Sequence, residues 1–159
     1  MQKKIMQNEL DKIDLHILRI IQQNTRTSSH DIGENVGLSS SAVQRRIVAL
    51  KEIGVIKKEV AILSAEALGR NLTLIAEVAL ENENKDSIKS FIESIERHTN
   101  VTHFYYVTGA MDYVIIYQAQ EMSDYDRFTQ DVFFNNRYVK TFNTKVVIRP
   151  IKVSHDVPF

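Results

Sequence analysis

The spacing of the apolar residues changes near residue 70, and this change constrains the fold more than any other feature of the sequence. Before it, apolar residues recur every three or four positions, as at Ile13, Ile17 and Ile21, which is the spacing of one helix face. After it, residues 72–80 alternate between apolar and other side chains, as expected for a half-buried strand. The pattern predicts a helical first domain and a second domain that contains a sheet.

The length and the charge distribution also favour two domains. A chain of 159 residues holds one ordinary domain or two small ones. Residues 1–70 carry eleven Lys and Arg against eight Asp and Glu, a net charge of +3, and the remainder carries nine against twelve, a net charge of −3. Opposite signs favour domains with different partners. We expect a first domain over residues 1–63, a linker over 64–71 and a second domain over 72–159.

The composition excludes several classes of protein. No apolar run approaches the roughly 20 residues of a membrane-spanning helix, and the polar segment Met1–Glu9 lacks the apolar core of a signal peptide. We therefore expect a cytoplasmic protein with no membrane partner. The absence of cysteine excludes disulfides, thiolate nucleophiles and cysteine-ligated metals.

The capping residues of the first half predict where its helices begin and end. A first helix is expected from Asp11 to about Asn24. Ser28, with Asp31 three residues later, resembles a capping box and predicts the start of a short second helix. Gly37 is expected to end that helix.

A third helix and a wing are predicted next. Ser39 is expected to cap the helix, Val43 and Leu50 to lie on its inner face, and Gly54 to end it. Val55–Leu63 is rich in β-branched residues and predicts a strand or wing. A short helix, a glycine turn, a second helix and a wing are the parts of a winged helix-turn-helix, which places its second helix in the major groove of DNA.

The third helix carries the candidate DNA contacts on its predicted outer face. Gln44 can form two hydrogen bonds with an adenine edge, and Arg45 can do so with a guanine. Serine hydroxyls and lysines suit phosphate oxygens. The predicted DNA-binding residues are Ser28, Ser39, Ser40, Ser41, Gln44, Arg45, Arg46, Lys51, Lys57 and Lys58. The same spacing also fits a three-helix packing unit with solvated charges, and that alternative stays open.

The second half predicts the element order βαββαβ. Its strands are expected at residues 72–80, Val101–Val107, Tyr113–Ala119 and Val139–Val153, and Ser123 is expected to cap the second helix. This order matches the ferredoxin-like arrangement, in which two helices cover one face of an antiparallel sheet. The predicted fold class is therefore α+β. Apolar and aromatic residues on both faces of the second strand indicate that the open face of the sheet packs on another subunit.

Short motifs across nearly the whole chain follow one another in a specific order. They are Leu10-Asp11-Lys12-Ile13-Asp14, Val36-Gly37-Leu38-Ser39, Gly54-Val55-Ile56, Leu68-Gly69, Val107-Thr108-Gly109 with Asp112-Tyr113, and Met122-Ser123-Asp124-Tyr125. The ordered set resembles the Lrp/AsnC (leucine-responsive, or feast/famine) transcription regulators. The resemblance implies a regulator of transcription that binds double-stranded DNA and is not an enzyme. It also implies homodimers formed through the C-terminal sheets, often assembled into octamers around which DNA is wrapped.

The resemblance further implies a small-molecule effector, usually an amino acid, bound between dimers near the hairpin, and no cofactor. Carried over by position, the effector-binding residues are Tyr106, Thr108, Gly109, Met111, Asp112, Met122, Lys145, Val146 and Val147. An amino acid needs an acceptor for its ammonium, such as Asp112, and donors for its carboxylate, such as the backbone of a glycine turn. Gly109 and Asp112 also fit a plain β-turn, and both interpretations stay open.

The chain departs from the family pattern at three places. Ser40 stands where many members have a proline, and Val48-Ala49 stands where basic residues often follow. Fewer phosphate contacts are therefore expected. Asn136-Arg137-Tyr138 replaces a Pro-Gly turn before the last strand, which leaves the oligomer size open.

Two other functions compete with DNA-binding regulation. An enzyme with a ferredoxin-like domain would need a catalytic motif, but the five histidines form no HxH or HxxxH pair and no phosphate-binding glycine loop occurs. His98 and His103 can approach each other at a helix-to-strand turn, which leaves a metal site conceivable. A ligand-binding module whose helix-turn-helix no longer binds DNA is the other alternative.

Overall fold

A computed structural model describes residues 10–81 and 84–159. The polar start Met1–Glu9 and part of the predicted loop at residues 81–85 lie outside these ranges. The chain divides into two compact units, which we call the helical unit and the sheet unit. The helical unit combines the described residues up to Ile62 with Val153–Phe159, and the sheet unit comprises the described residues of Leu63–Lys152.

The helical unit contains the three expected helices, α1 (Lys12–Gln23), α2 (Ser29–Val36) and α3 (Ser40–Glu52). Each begins after a side chain that caps it: Asp11, Ser28 and Ser39 accept a hydrogen bond from the backbone N–H three residues later. The helices enclose a small core centred on Ile17, Ile21, Ile32 and Val43. The predicted helix positions are confirmed because local capping and apolar spacing agree.

Two glycines shape the connection between α2 and α3. Gly37 has a φ of 71°, in the left-handed region that glycine adopts at little cost. Gly33 lies in α2 opposite the backbone of Leu38, and a Cβ atom at Gly33 would lie 2.4 Å from the Leu38 carbonyl oxygen. The turn therefore brings the two helices closer than a side chain at position 33 permits.

The predicted strand or wing at Val55–Leu63 is wrong for the described structure, because this segment pairs with no strand there. The N–H groups of Val55 and Ile56 instead donate to the Leu50 carbonyl, at 3.0 and 3.1 Å, and close the end of α3. Apolar side chains further along, including Val60 and Ile62, are exposed. β-Branched residues favour extended backbone, but a strand also needs a partner for its hydrogen bonds.

The sheet unit has the expected order and topology. Its elements are β1 (Leu72–Leu80), α4 (Lys85–Glu96), β2 (Val101–Tyr106), β3 (Tyr113–Ala119), α5 (Met122–Thr129) and β4 (Val139–Val146). The strands form one antiparallel sheet in the order β2-β3-β1-β4. One turn of π-helix, Gln130–Phe134, continues α5. The predicted α+β fold is confirmed.

Both helices cover one face of this sheet. Leu74, Ala76 and Val78 of β1 are fully buried against a core that includes Phe91 of α4 and Phe128 of α5. The alternate residues of β1 are less buried, because successive side chains of a strand point to opposite faces. The second face of the sheet therefore has no helix over it within the described part of the sheet unit.

Two predicted boundaries in the sheet unit are wrong. Helix α5 begins at Met122 rather than after Ser123, because the Asp124 carboxylate accepts the N–H groups of Gln120 and Glu121, at 3.1 and 3.2 Å, and so starts the helix earlier. Strand β4 ends at Val146, where its pairing with β1 also ends, opposite Leu74. None of the helices in the described residues is long and apolar enough to cross a bilayer.

The last seven residues belong to the helical unit, whereas the sequence placed them in the second domain. The Gln22 side chain accepts the Val157 N–H at 2.9 Å and donates to the Val157 carbonyl at 3.2 Å. The Arg19 guanidinium donates to the Phe159 carbonyl oxygen, at 3.0 Å from Nη2, and lies over the Phe159 ring. The tail therefore packs along α1.

Candidate functional site

The outer face of α3 brings together the side chains expected to read DNA bases. Gln44 and Arg45 are both exposed, and Val48 lies beside them with 48 % of its surface exposed. Arg45 forms no ion pair within the described part of the chain. At the start of the helix, Ser39 accepts the Ala42 N–H at 3.3 Å. This face presents an amide, a guanidinium and the exposed hydroxyls of Ser40 and Ser41, all of which suit a DNA groove and its phosphates.

The remaining predicted DNA-contact residues differ in whether their side chains already have partners within the protein. Lys57 and Lys58 are exposed, and within residues 10–81 and 84–159 neither forms an ion pair. Lys51 pairs with Glu59, with Nζ 2.8 Å from Oε2. The Ser28 hydroxyl donates to Asp31 at 2.7 Å and caps α2. Lysines 57 and 58 are therefore the strongest phosphate candidates.

Arg46 lies apart from the other predicted DNA-binding residues. Its Nη1 atom donates to Asp11 Oδ2 at 2.8 Å and to Asp14 Oδ1 at 2.7 Å, so it joins α3 to the start of α1. It falls three residues after Val43 and four before Leu50, on the inner stripe of the helix. The apolar periodicity of α3 was the sequence feature that could have identified this position.

The pKa shifts of Arg46 and Asp11 agree with this contact between α3 and the start of α1. Hydrogen bonds to Asp14 and Asp11 raise the pKa of the Arg46 guanidinium. The pKa of Asp11 is lowered, first by the Asp14 N–H and then by Arg46. Two carboxylates thus surround one guanidinium, and the local net charge is −1.

The hairpin between β2 and β3 forms the predicted effector region. Thr108 and Gly109 are exposed at its tip. Asp112 connects the hairpin to the end of β1, because its Oδ2 accepts the Leu80 N–H at 2.7 Å and its N–H donates to the Val78 carbonyl at 2.9 Å. Asp112 therefore shapes the turn and still has a second carboxylate oxygen, Oδ1, with no hydrogen bond in the described residues.

Tyr106 and Met111 also lie on this hairpin, whereas Met122 and residues 145–147 lie away from it. Met122 follows the far end of β3, about 20 Å from the hairpin, since seven strand residues each advance the chain about 3.3 Å. Lys145 pairs with Ile75 in the register of β4 and β1, and its ammonium binds the Glu77 carboxylate. Val146 and Val147 follow at the same end of β4. One chain therefore does not bring all nine residues to a single pocket.

The open face of the sheet is partly apolar. Ile75, Val114 and Ile116 alternate with fully buried residues of β1 and β3, so they lie on the uncovered side. Tyr105 of β2 is 49 % exposed. A buried acceptor, Gln118 Oε1, has no partner within the described residues.

Comparison with known proteins identifies the family. A family model described as the AsnC-type helix-turn-helix domain matches residues 10–51, and one described as the Lrp/AsnC ligand binding domain matches residues 73–157. The chain belongs to the Lrp/AsnC family of transcriptional regulators. Its relatives are HTH-type transcriptional regulators, a non-enzymatic family, and this chain is likewise a DNA-binding transcription regulator.

Relatives of this Lrp/AsnC protein align along nearly their full length. The HTH-type transcriptional regulator y4tD of Sinorhizobium fredii is 40 % identical over 94 % of this chain and 89 % of its own. A leucine-responsive regulatory protein of Rhizobium meliloti is 30 % identical over 93 % and 95 %. A crystal structure of a Neisseria meningitidis transcriptional regulator in complex with L-Met superposes with a TM-score of 0.87 at 28 % identity, covering 94 % and 96 % of the two chains.

The two histidines considered for a metal site have separate partners. His98 Nε2 lies 3.1 Å from Asp131 Oδ2, and its ring packs edge-on against Phe128. His103 contacts the Thr102 hydroxyl at 3.1 Å. In the ranges that the structure describes, no group of three or more metal-binding side chains occurs.

Proposed function

We propose that this Lrp/AsnC protein acts in the cytoplasm as a homo-oligomer that reads a specific DNA sequence with α3 and responds to an amino acid. The observation that carries the proposal is the exposure of Gln44 and Arg45 on the outer face of α3, in the helix that enters the major groove in a helix-turn-helix. Lys57 and Lys58 supply sequence-independent contacts to phosphates. A dimer of such helices fits a pseudo-palindromic site with half-sites one helical turn, or a multiple of it, apart.

Two pairs of substitutions separate base contacts from phosphate contacts. Replacing Gln44 or Arg45 with Ala removes a bidentate contact, which is worth about 1–3 kcal/mol of discrimination, and relaxes the choice of sequence. Replacing Lys57 or Lys58 with Ala weakens binding to all fragments about equally. Both predictions are checked by footprinting on genomic fragments at several salt concentrations. If the Gln44 and Arg45 variants lose affinity equally on all fragments, as the Lys57 and Lys58 variants are expected to do, these roles are contradicted.

The open sheet face supports assembly through the sheet units. This face carries an apolar surface that association would remove from water. It is formed by Ile75, Val114, Ile116 and Tyr105. Ile116→Lys should place a charge in this surface and shift the protein to smaller species in light scattering. Ser90→Lys, on the exposed side of α4, is the matched control. An unchanged mass for Ile116→Lys contradicts a sheet-mediated dimer, and the wild-type mass distinguishes dimer from octamer.

Two features support an amino-acid effector: the polar groups of the β2–β3 hairpin, and the distance between this hairpin and the predicted residues Met122 and Lys145. Asp112 Oδ1 provides an acceptor for an ammonium, and the exposed backbone at Thr108 and Gly109 provides donors for a carboxylate. Met122 and Lys145 can complete such a pocket only from a neighbouring subunit, because they lie away from the hairpin of their own chain. The related Neisseria protein was crystallised with L-Met, and methionine is therefore one amino acid to test.

Asp112→Asn tests the effector site without removing the turn. An asparagine oxygen still accepts the Leu80 N–H, whereas the charge that attracts an ammonium is lost. We expect one or more of the twenty amino acids to raise the melting temperature of the wild type by mass action. The same amino acid should give little shift for Asp112→Asn. A full shift in the variant contradicts the assigned site, and no shift for any amino acid contradicts the effector class.

A further inference from the structure

The start of α1 is built from two carboxylates that also reach α3. The Asp11 Oδ1 atom accepts the Asp14 N–H at 2.8 Å, and the Asp14 Oδ2 atom accepts the Asp11 N–H at 3.1 Å. This reciprocal pair is a capping box, which satisfies two backbone donors at the helix start. Each carboxylate uses one oxygen for the cap, so its second oxygen is available to accept from another donor.

Both remaining oxygens accept from the same nitrogen of Arg46. Asp14 is 13 % exposed and Arg46 is 33 % exposed, whereas Asp11 is 52 % exposed. Since the Asp14 end is largely removed from water, the Arg46 guanidinium supplies a charged partner that solvent would otherwise have to replace. We call this arrangement of Asp11, Asp14 and Arg46 the Arg46 bridge.

We propose that Arg46 is a positioning residue for the DNA-reading helix: the Arg46 bridge holds α3 against the capped start of α1, and Arg46 makes no phosphate contact. The inference rests on the proposed role of α3 in DNA binding. Three observations support it. Arg46 lies on the inner stripe with Val43 and Leu50. Its ion-pair partners are the cap and the first turn of α1. The net charge of the bridge is −1, which disfavours a nearby phosphate.

Positioning and phosphate contact predict opposite effects when the carboxylates are neutralised. If Arg46 contacted phosphate, the Asp11→Asn/Asp14→Asn variant would release its guanidinium, remove two negative charges and tighten DNA binding. If Arg46 positions α3, the same variant loosens the helix and weakens binding to the specific site. Asparagine oxygens still accept both backbone N–H groups, so the cap itself is retained.

The experiment measures the affinity of the full chain for its best genomic fragment at several salt concentrations. We expect Arg46→Gln and the double Asn variant each to lose roughly 2- to 150-fold in affinity, the range typical of residues coupled in one network. Combining all three substitutions should add little further loss. The slope of log affinity against log salt should not change, whereas each lost phosphate contact lowers it by about 0.9.

Two matched variants complete the test. Asp31→Asn removes a carboxylate from the same unit, at a residue in the first turn of α2 that accepts the Ser28 hydroxyl and has no contact with Arg46, and should not weaken binding. Arg46→Lys keeps the charge but replaces the planar guanidinium, and we expect it to restore only part of the affinity. Tighter binding by the double Asn variant, a lower salt slope for Arg46→Gln, or full affinity for Arg46→Lys would overturn the proposal.

Amide hydrogen exchange provides a readout that does not depend on DNA. Arg46→Gln should increase exchange in the first turn of α1 and in α3, and should leave the sheet unit unchanged. Unchanged exchange in α1 and α3 contradicts the positioning role. Wild-type protein that binds no fragment contradicts the proposed function instead, and the exchange result still decides whether the Arg46 bridge holds the two helices.

Discussion

A methyl group at Gly33 tests the close contact on which the helix-turn-helix depends. The added Cβ would lie 2.4 Å from the Leu38 carbonyl oxygen, and the obstacle is backbone, which cannot rotate away. The turn between α2 and α3 must therefore open. Overpacking of this kind costs about 1–3 kcal/mol, and the higher helix propensity of alanine offsets about 1 kcal/mol. Because the obstacle is backbone, the cost should lie in the upper part of this range, about 2–3 kcal/mol. After the gain in helix propensity, we expect Gly33→Ala to lower the free energy of unfolding of the helical unit by about 1–2 kcal/mol.

The distribution of tyrosines allows the two units to be followed separately. The chain has six tyrosines and no tryptophan, and all six lie in the sheet unit: Tyr105, Tyr106, Tyr113, Tyr117, Tyr125 and Tyr138. Tyrosine fluorescence therefore reports the sheet unit, whereas circular dichroism at 222 nm reports helices of both units. In urea, Gly33→Ala should shift the part of the dichroism transition that comes from the helical unit to lower urea concentration and leave the fluorescence transition in place.

The neighbouring residue supplies the control for Gly33. Glu34→Ala introduces the same side chain on the exposed side of α2, where no backbone is in the way, and should change stability by less than about 0.5 kcal/mol. If Gly33→Ala proves neutral, or stabilises the unit by the roughly 1 kcal/mol expected from propensity alone, then the turn is not as tight as described and the reasoning is refuted.

Three further predictions use the same urea measurements. Arg19→Ala and Gln22→Ala remove the contacts of the tail with α1, and each should destabilise the helical unit by about 0.5–1.5 kcal/mol; the adjacent exposed Gln23→Ala should not. The pKa of Asp11 is lowered by the Asp14 N–H and by Arg46, so the folded protein binds this proton less tightly than the unfolded chain. The stabilisation that the Asp11 carboxylate provides is complete well above the ordinary pKa of 3.8 and is lost as pH falls through the lower folded value. The Asp11→Asn variant has no such carboxylate, so it should lose less stability than the wild type between pH 5 and pH 3. Phe91→Ala creates a cavity in the core of the sheet unit and should cost about 3–5 kcal/mol, shifting the tyrosine transition.

Local sequence patterns were sufficient to predict most of the fold. The capping residues Asp11, Ser28 and Ser39 and the apolar spacing placed all three helices of the first unit, because caps and helix faces involve residues close in sequence. Alternation placed the strands of the second unit in the same way. The wing at Val55–Leu63 was wrong because composition favours extended backbone but does not supply a pairing strand.

The candidate site was predictable only where exposure follows from helix periodicity. Gln44 and Arg45 were expected on the outer face of α3 and are exposed there. The partners of Arg46 lie more than thirty residues earlier in the chain, and the packing of α1 on the tail joins residues about 135 apart. Such pairs depend on how helices pack, and no local pattern specifies them.

The most direct test of the central claim is footprinting of the purified protein on genomic fragments, including the region upstream of its own gene, with and without the amino acid that raises its melting temperature. Sequence-specific protection should appear in half-sites one helical turn or a multiple of it apart, weaken as salt rises, and change in extent or strength when the amino acid is added. Protein that protects no fragment preferentially, or protects one identically at all amino-acid concentrations, contradicts an amino-acid-responsive DNA-binding regulator.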